Sequence, residues 1–166
     1  MLKKIILSSM LLLSSQVYAD NLNKIFDIEL GSQADESKPS FISNEKSKNA
    51  ALYKIDFKGF SNVVANYTPT TKKIYSIVAY KKAGSDCNSE AELIAGILSK
   101  RYGELTNNDR ILDDIYSIHS GNKSLMVGCH GFMDKTLMIV LSDDDVRELN
   151  KKEEIEIEAA KEANNF

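Results

Sequence analysis

The chain has 166 residues, 21 basic and 24 acidic side chains and a formal net charge of −3. It carries no cationic excess with which to grip a polyanion, which argues against nucleic acid and anionic membrane surfaces as partners. Two cysteines allow one disulfide and rule out a cysteine-rich scaffold.

The first twenty residues read MLKKIILSSMLLLSSQVYAD. Lys3 and Lys4 precede a short apolar run over 5–13, and Val17-Tyr18-Ala19 places small residues at the −3 and −1 positions. This is the pattern of a secretory signal peptide cut between Ala19 and Asp20. The run falls well short of the roughly 20 apolar residues that span a bilayer. No stable membrane insertion is expected after cleavage, and no later segment is long and apolar enough to cross. Cleavage leaves 147 residues, enough for one domain burying about 70% of its unfolded surface. The expected location is periplasmic or secreted. Charge is uneven along the mature chain: residues 143–166 hold nine acids and four bases, while 20–142 balance at fifteen of each.

Four regions are expected: a signal peptide (1–19), an N-terminal strand with a flexible segment (20–50), an α+β core (51–142) and an acidic C-terminal helix (143–166). In 20–32, Phe26, Ile28 and Leu30 alternate with polar residues up to Gly31, which predicts one short strand. Residues 33–48 are polar, contain Pro39 and lack periodicity apart from Phe41-Ile42, so they read as a connection. Residues 51–82 read as a three-strand meander. Tyr53, Ile55 and Phe57 alternate with Lys54, Asp56 and Lys58, Gly59 marks a turn, and 63–67 form the second strand. TPTTKK makes the second turn. Residues 74–80 are apolar on both faces and are expected in the middle of a sheet.

A helix over 89–102 follows. Ser89 and Glu92 suit a capping box; Leu93, Ile94, Ile97, Leu98 and Tyr102 form an apolar stripe. Lys100 and Arg101 suit the last turn, and Gly103 suits the C-terminal cap. A second meander is expected over 115–120, 123–130 and 136–142, with Gly121-Asn122 as a type II′ turn. Asp143-Asp144-Asp145 then opens a helix to about residue 163, its early turns carrying Val146 and Leu149 and its end solvated.

The stretch LMVGCHGF sets Cys129 beside His130. With Gly121-Asn122 as the turn, Ile118 faces Leu125, Tyr116 faces Val127 and Asp114 faces Cys129. Ser117 with Met126, His119 with Ser124 and Asp113 with His130 share the other face. Leu125, Val127 and Cys129 then point towards the helix, and Cys87 lies just before that helix. A Cys87–Cys129 disulfide would close a loop of about 43 residues, worth roughly 4 kcal/mol in the chain-entropy model. Strand neighbours point to opposite faces, so the Cys129 sulfur and the His130 ring should not meet. A thiol without a base is only about 3% ionised at neutral pH. His119 and His130 lie about 20 Å apart along the hairpin, too far to share a zinc ion.

Residues 143–145 lack the spaced oxygens and glycine of a calcium loop and read as helix-capping acids. Asp113 and Asp114 diverge on a strand. No nucleophile elbow, phosphate loop or dinucleotide fingerprint occurs. The tyrosines at 53, 67, 75, 80, 102 and 116 read as core-boundary residues, with an aromatic recognition surface as the alternative.

The expected fold is a single α+β domain, mainly an antiparallel sheet of two meanders around one packed helix, with an acidic C-terminal helix. No catalytic, cofactor or metal residue is singled out, and no cofactor is expected. The function expected first is that of an exported, non-enzymatic protein-binding or accessory protein stabilised by one disulfide. It would meet another protein through a sheet edge or the acidic helix. A small hydrolase or thiol enzyme, and a carrier of a small apolar ligand between sheet and helix, are the alternatives.

Overall fold

The computed structural model describes residues 22–35, 37, 49–108, 114–131 and 134–164. The expected cleavage point at Ala19 and Asp20, most of the 33–48 connection and Asp113 lie outside the described residues. Among the described residues the chain is α+β, with two helices, a seven-stranded antiparallel sheet and a separate two-stranded hairpin.

Alternating apolar residues build the first meander: β3 (Ala50–Phe57), β4 (Phe60–Tyr67) and β5 (Ile74–Lys82). Lys58 and Gly59 both take positive φ, 48° and 83°, so the β3–β4 turn is the tight kind that matches strand twist. After β5 the chain enters α1 (Cys87–Tyr102). It then passes through the two-residue β6 (Thr106–Asn107) and makes the second meander, β7 (Ile115–Ser120), β8 (Lys123–His130) and β9 (Thr136–Asp143). Of the Gly121-Asn122 pair only Gly121 has positive φ, at 59°, as a type II′ turn requires.

The two meanders form one continuous surface. Strand order is β3-β4-β5-β9-β8-β7-β6, because β9 pairs with β5 from Ser76↔Ser142 to Lys82↔Thr136. β5 is therefore interior, as its two apolar faces predict, but the middle of the seven is β9.

One face of this sheet, with Val63, Ile77, Leu125, Val127, Ile139 and Leu141 almost fully buried, meets α1 and the N-terminal segment in a single core. α1 packs on β7, β8 and β9. Its buried stripe is Cys87, Ala91, Ile94, Ala95, Leu98 and Tyr102. The expected stripe is thus rotated: Leu93 is 60% exposed. The expected N-cap is displaced too. α1 begins at Cys87 after Asp86, whose carbonyl accepts the Glu90 amide at 3.0 Å. Ser89 is an exposed residue of the first turn. The cause is Cys87 itself: buried and bonded to the sheet, it fixes which helix face turns inward. At the far end Gly103 caps at φ 98°, its amide reaching Ser99 O at 3.1 Å.

The single N-terminal strand is also corrected. Residues 22–30 fold as a hairpin of β1 (Lys24–Ile25) and β2 (Ile28–Glu29), with Phe26 and Asp27 as the turn. Leu22, Ile25, Ile28 and Leu30 are the buried residues, a spacing that fits two short arms doubled over the core rather than one extended strand. The chain then runs beside the start of β5. The Gly31 amide reaches Ile74 O at 2.8 Å, and the Ala34 amide reaches Lys72 O at 2.8 Å. The beginning of the expected flexible connection is therefore paired.

The final helix, α2 (Asp144–Ala163), follows β9 directly and contacts β5. Only Asn150 and Glu153 are buried in it, and nearly every side chain beyond Glu153 is exposed.

Candidate functional site

The register of β7 on β8 places each sequence-derived candidate. Ile118 faces Leu125, Tyr116 faces Val127, Ser117 faces Met126 and His119 faces Ser124. Cys129 is buried and bonded to Cys87, with 6.1 Å between the α-carbons. His130, one residue on, lies on the other face and is exposed. His119 is exposed near the hairpin turn, at the opposite end of the ladder from His130.

The acidic run at 143–145 is engaged in structure. Asp143 caps α2, its Oδ1 accepting the Asp145 and Val146 amides at 3.0 and 3.2 Å. The same oxygen accepts Asn122 Nδ2 at 2.8 Å, and Lys123 Nζ stands 3.9 Å from Asp143 Oδ2. Asp144 pairs with Arg147 at 3.2 Å, and Asp145 accepts Asn122 Nδ2 at 2.9 Å. A negative helix start beside a hairpin turn is favourable by the helix dipole alone.

Glu153 was not singled out from sequence. It is 4% exposed, and its Oε2 accepts the Thr70 amide at 2.7 Å and the Thr71 amide at 3.2 Å. Oε1 accepts Thr71 Oγ1 at 2.7 Å. Burial opposes ionisation of this carboxyl, but the hydrogen bonds from Thr71, the Thr70 and Thr71 amides and Thr68 outweigh it and hold its pKa below the ordinary value. In sequence it is one Glu in a polar helix. Only the turn at 68–71, far away in the chain, gives it a role.

The feature of the sheet that resembles a receptor surface lies on the face away from α1. Alternation places Met126, Gly128 and His130 of β8 there, with Met138 and Val140 of β9 and Ile115 of β7. Met126 pairs with Val140, and Gly128 sits between Ile115 and Met138. Because Gly128 has no side chain, the sheet surface dips between these neighbours. The result is a hollow of about 230 Å³, mostly apolar, lined by no residue of either helix. A β-carbon at Gly128 would stand 3.2 Å from Asp114 O and from Ile115 Cγ1, so the dip and the close approach of β7 share one cause. The sequence did carry a signal. A glycine inside an alternating strand marks a place where something approaches closely. Which residues surround it depends on β9, which is remote in sequence. Of the acids, histidines and cysteines weighed from sequence, only Cys129 and His130 are among the lining residues.

Comparison with protein-family models, curated proteins and solved structures finds no match.

Proposed function

We propose that this chain is an exported, non-enzymatic protein-binding or accessory protein, and that its partner docks on the sheet face away from α1 by inserting an apolar side chain into the hollow around Gly128. The single observation carrying this reading is that hollow. Two methionines, a valine and an isoleucine surround a cavity the size of one large side chain, on the face opposite the core. Methionine is flexible and polarisable, and suits surfaces that re-pack around a partner. Interface energy concentrates where one anchor fills such a pocket. Export is supported by the leader-like N-terminus and by a disulfide that is compatible with an oxidising compartment. Two further surfaces suit the same role: β3, at one end of the sheet order, for strand addition, and the acidic α2, for a basic neighbour.

The test is a photo-crosslinking amino acid at Met138 or Met126 in the exported protein, with Glu92 on α1 as the control position. The expected result is the same cross-linked partner from 138 and 126, and none from 92. Absence of a product from the first two positions at low salt, or equal capture from all three, would sink the proposal.

A further inference from the structure

A second cavity lies on the opposite side of the molecule, where the N-terminal hairpin and the end of β3 meet α1. Its volume is about 290 Å³, and its walls include Phe26, Phe57, Ile97 and Tyr102, with Asp27 and Arg101 among the polar lining. An apolar cavity of about 150 Å³ suffices for benzene, so this one has room for two fused rings.

Its construction is unusual in one respect. Phe26 and Asp27 form the hairpin turn with φ of 52° and 63°, a region that glycine or asparagine occupies easily. A phenylalanine with left-handed backbone is a true outlier, and such strain gathers at binding sites. Here the conformation sets the Phe26 ring against Phe57, with centroids 5.4 Å apart and planes 59° apart. The hairpin is fastened from α1 by the Tyr102 hydroxyl, which donates to Lys24 O at 2.8 Å. Arg101 extends the aromatic wall, its guanidinium carbon 5.3 Å from the Tyr102 ring centroid. Two phenylalanine rings thus form part of the wall, with Ile25, Ile97 and Leu98 completing its apolar lining. Asp27 pairs with Lys24 at 3.2 Å.

From this we infer that the cavity between the N-terminal hairpin and α1 is a binding site for a compact bicyclic aromatic molecule, its rings against Phe26 and Phe57 and any polar substituent directed to the mouth. The site is separate from the hollow around Gly128 and independent of the docking function proposed for it. Ring-on-ring contacts contribute beyond buried area, which favours an aromatic over a saturated ligand of equal volume.

The probe is 2-naphthol, titrated into the ¹⁵N-labelled protein, with cyclohexanol as the saturated comparison. The expected result is saturable amide shifts at residues 25–27, 57 and 97–102, with weaker shifts from cyclohexanol. Ile97→Trp, which fills the cavity, is expected to lower 2-naphthol affinity at least about tenfold. Phe26→Asn, which suits the turn but removes one wall, should lower it similarly, and Met138→Asp should leave it unchanged. The free variants' own spectra report whether each folds. No saturable shift at millimolar 2-naphthol, shifts centred on residues 126–140, or unchanged affinity in both folded cavity variants would overturn the site.

Discussion

Glu153 Oε2 accepts the backbone amide of Thr70 at 2.7 Å, joining α2 to the β4–β5 turn across 83 positions of sequence. This bond, with those from Thr71, fastens the middle of α2 to the sheet.

Its pH dependence has a definite sign. The folded-state pKa of Glu153 is depressed from the ordinary 4.5. Its contribution is complete above that value and is lost as the pH falls through the lower folded value. Thermal unfolding followed by circular dichroism should show acid destabilisation in the wild type. Glu153→Gln should lose about 1–2 kcal/mol at neutral pH, a low-end figure because the turn lies close to solvent, and should show a shallower acid response. An identical acid profile in the variant would remove Glu153 from this role.

The Cys87–Cys129 bond, at a sequence separation of 42, should contribute about 2–4 kcal/mol through the unfolded chain. The paired substitution Cys87→Ala with Cys129→Ala tests this by denaturant midpoint. Addition of reductant should lower the wild-type midpoint towards that of the variant and leave the variant itself unmoved.

Gly131 follows β8 with φ 102°, and a β-carbon there would stand 2.7 Å from Asp134 O. Gly131→Ala should therefore cost more than about 1 kcal/mol. Gly121→Ala meets no atom within 4 Å and is burdened by its positive φ alone. The smaller loss is expected at 121, and urea unfolding of both variants ranks them.

Removal of residues 158–166 should change stability by less than about 0.5 kcal/mol, since the described side chains from 158 onward are exposed. A larger loss in melting experiments would mean that the tip of α2 has a structural partner.

Local pattern made much of this architecture legible. Alternation located the three long strands of each meander. Gly121-Asn122 set the register that carries Cys129 inward beside α1, and Gly103 ended that helix correctly. The misses came from long-range constraint. Ser89 has the chemistry of a cap, but buried Cys87 starts α1 earlier and rotates Leu93 outward. Phe26 alternates with Ile28 and Leu30 as in a strand, yet it occupies a turn that no propensity assigns to phenylalanine. The candidate site was legible only as an unexplained glycine. Met138 and Val140 arrive beside Gly128 through a pairing that connects separate parts of the chain.

The order of assembly follows from the position of β9. The strand at the centre of the sheet is the last of the described strands in chain order, and the slot between β5 and β8 is filled only when residues 136–143 are in place. The β5–β9 ladder, which joins the two meanders, is therefore a pairing between distant parts of the chain, of the kind that is slow to form.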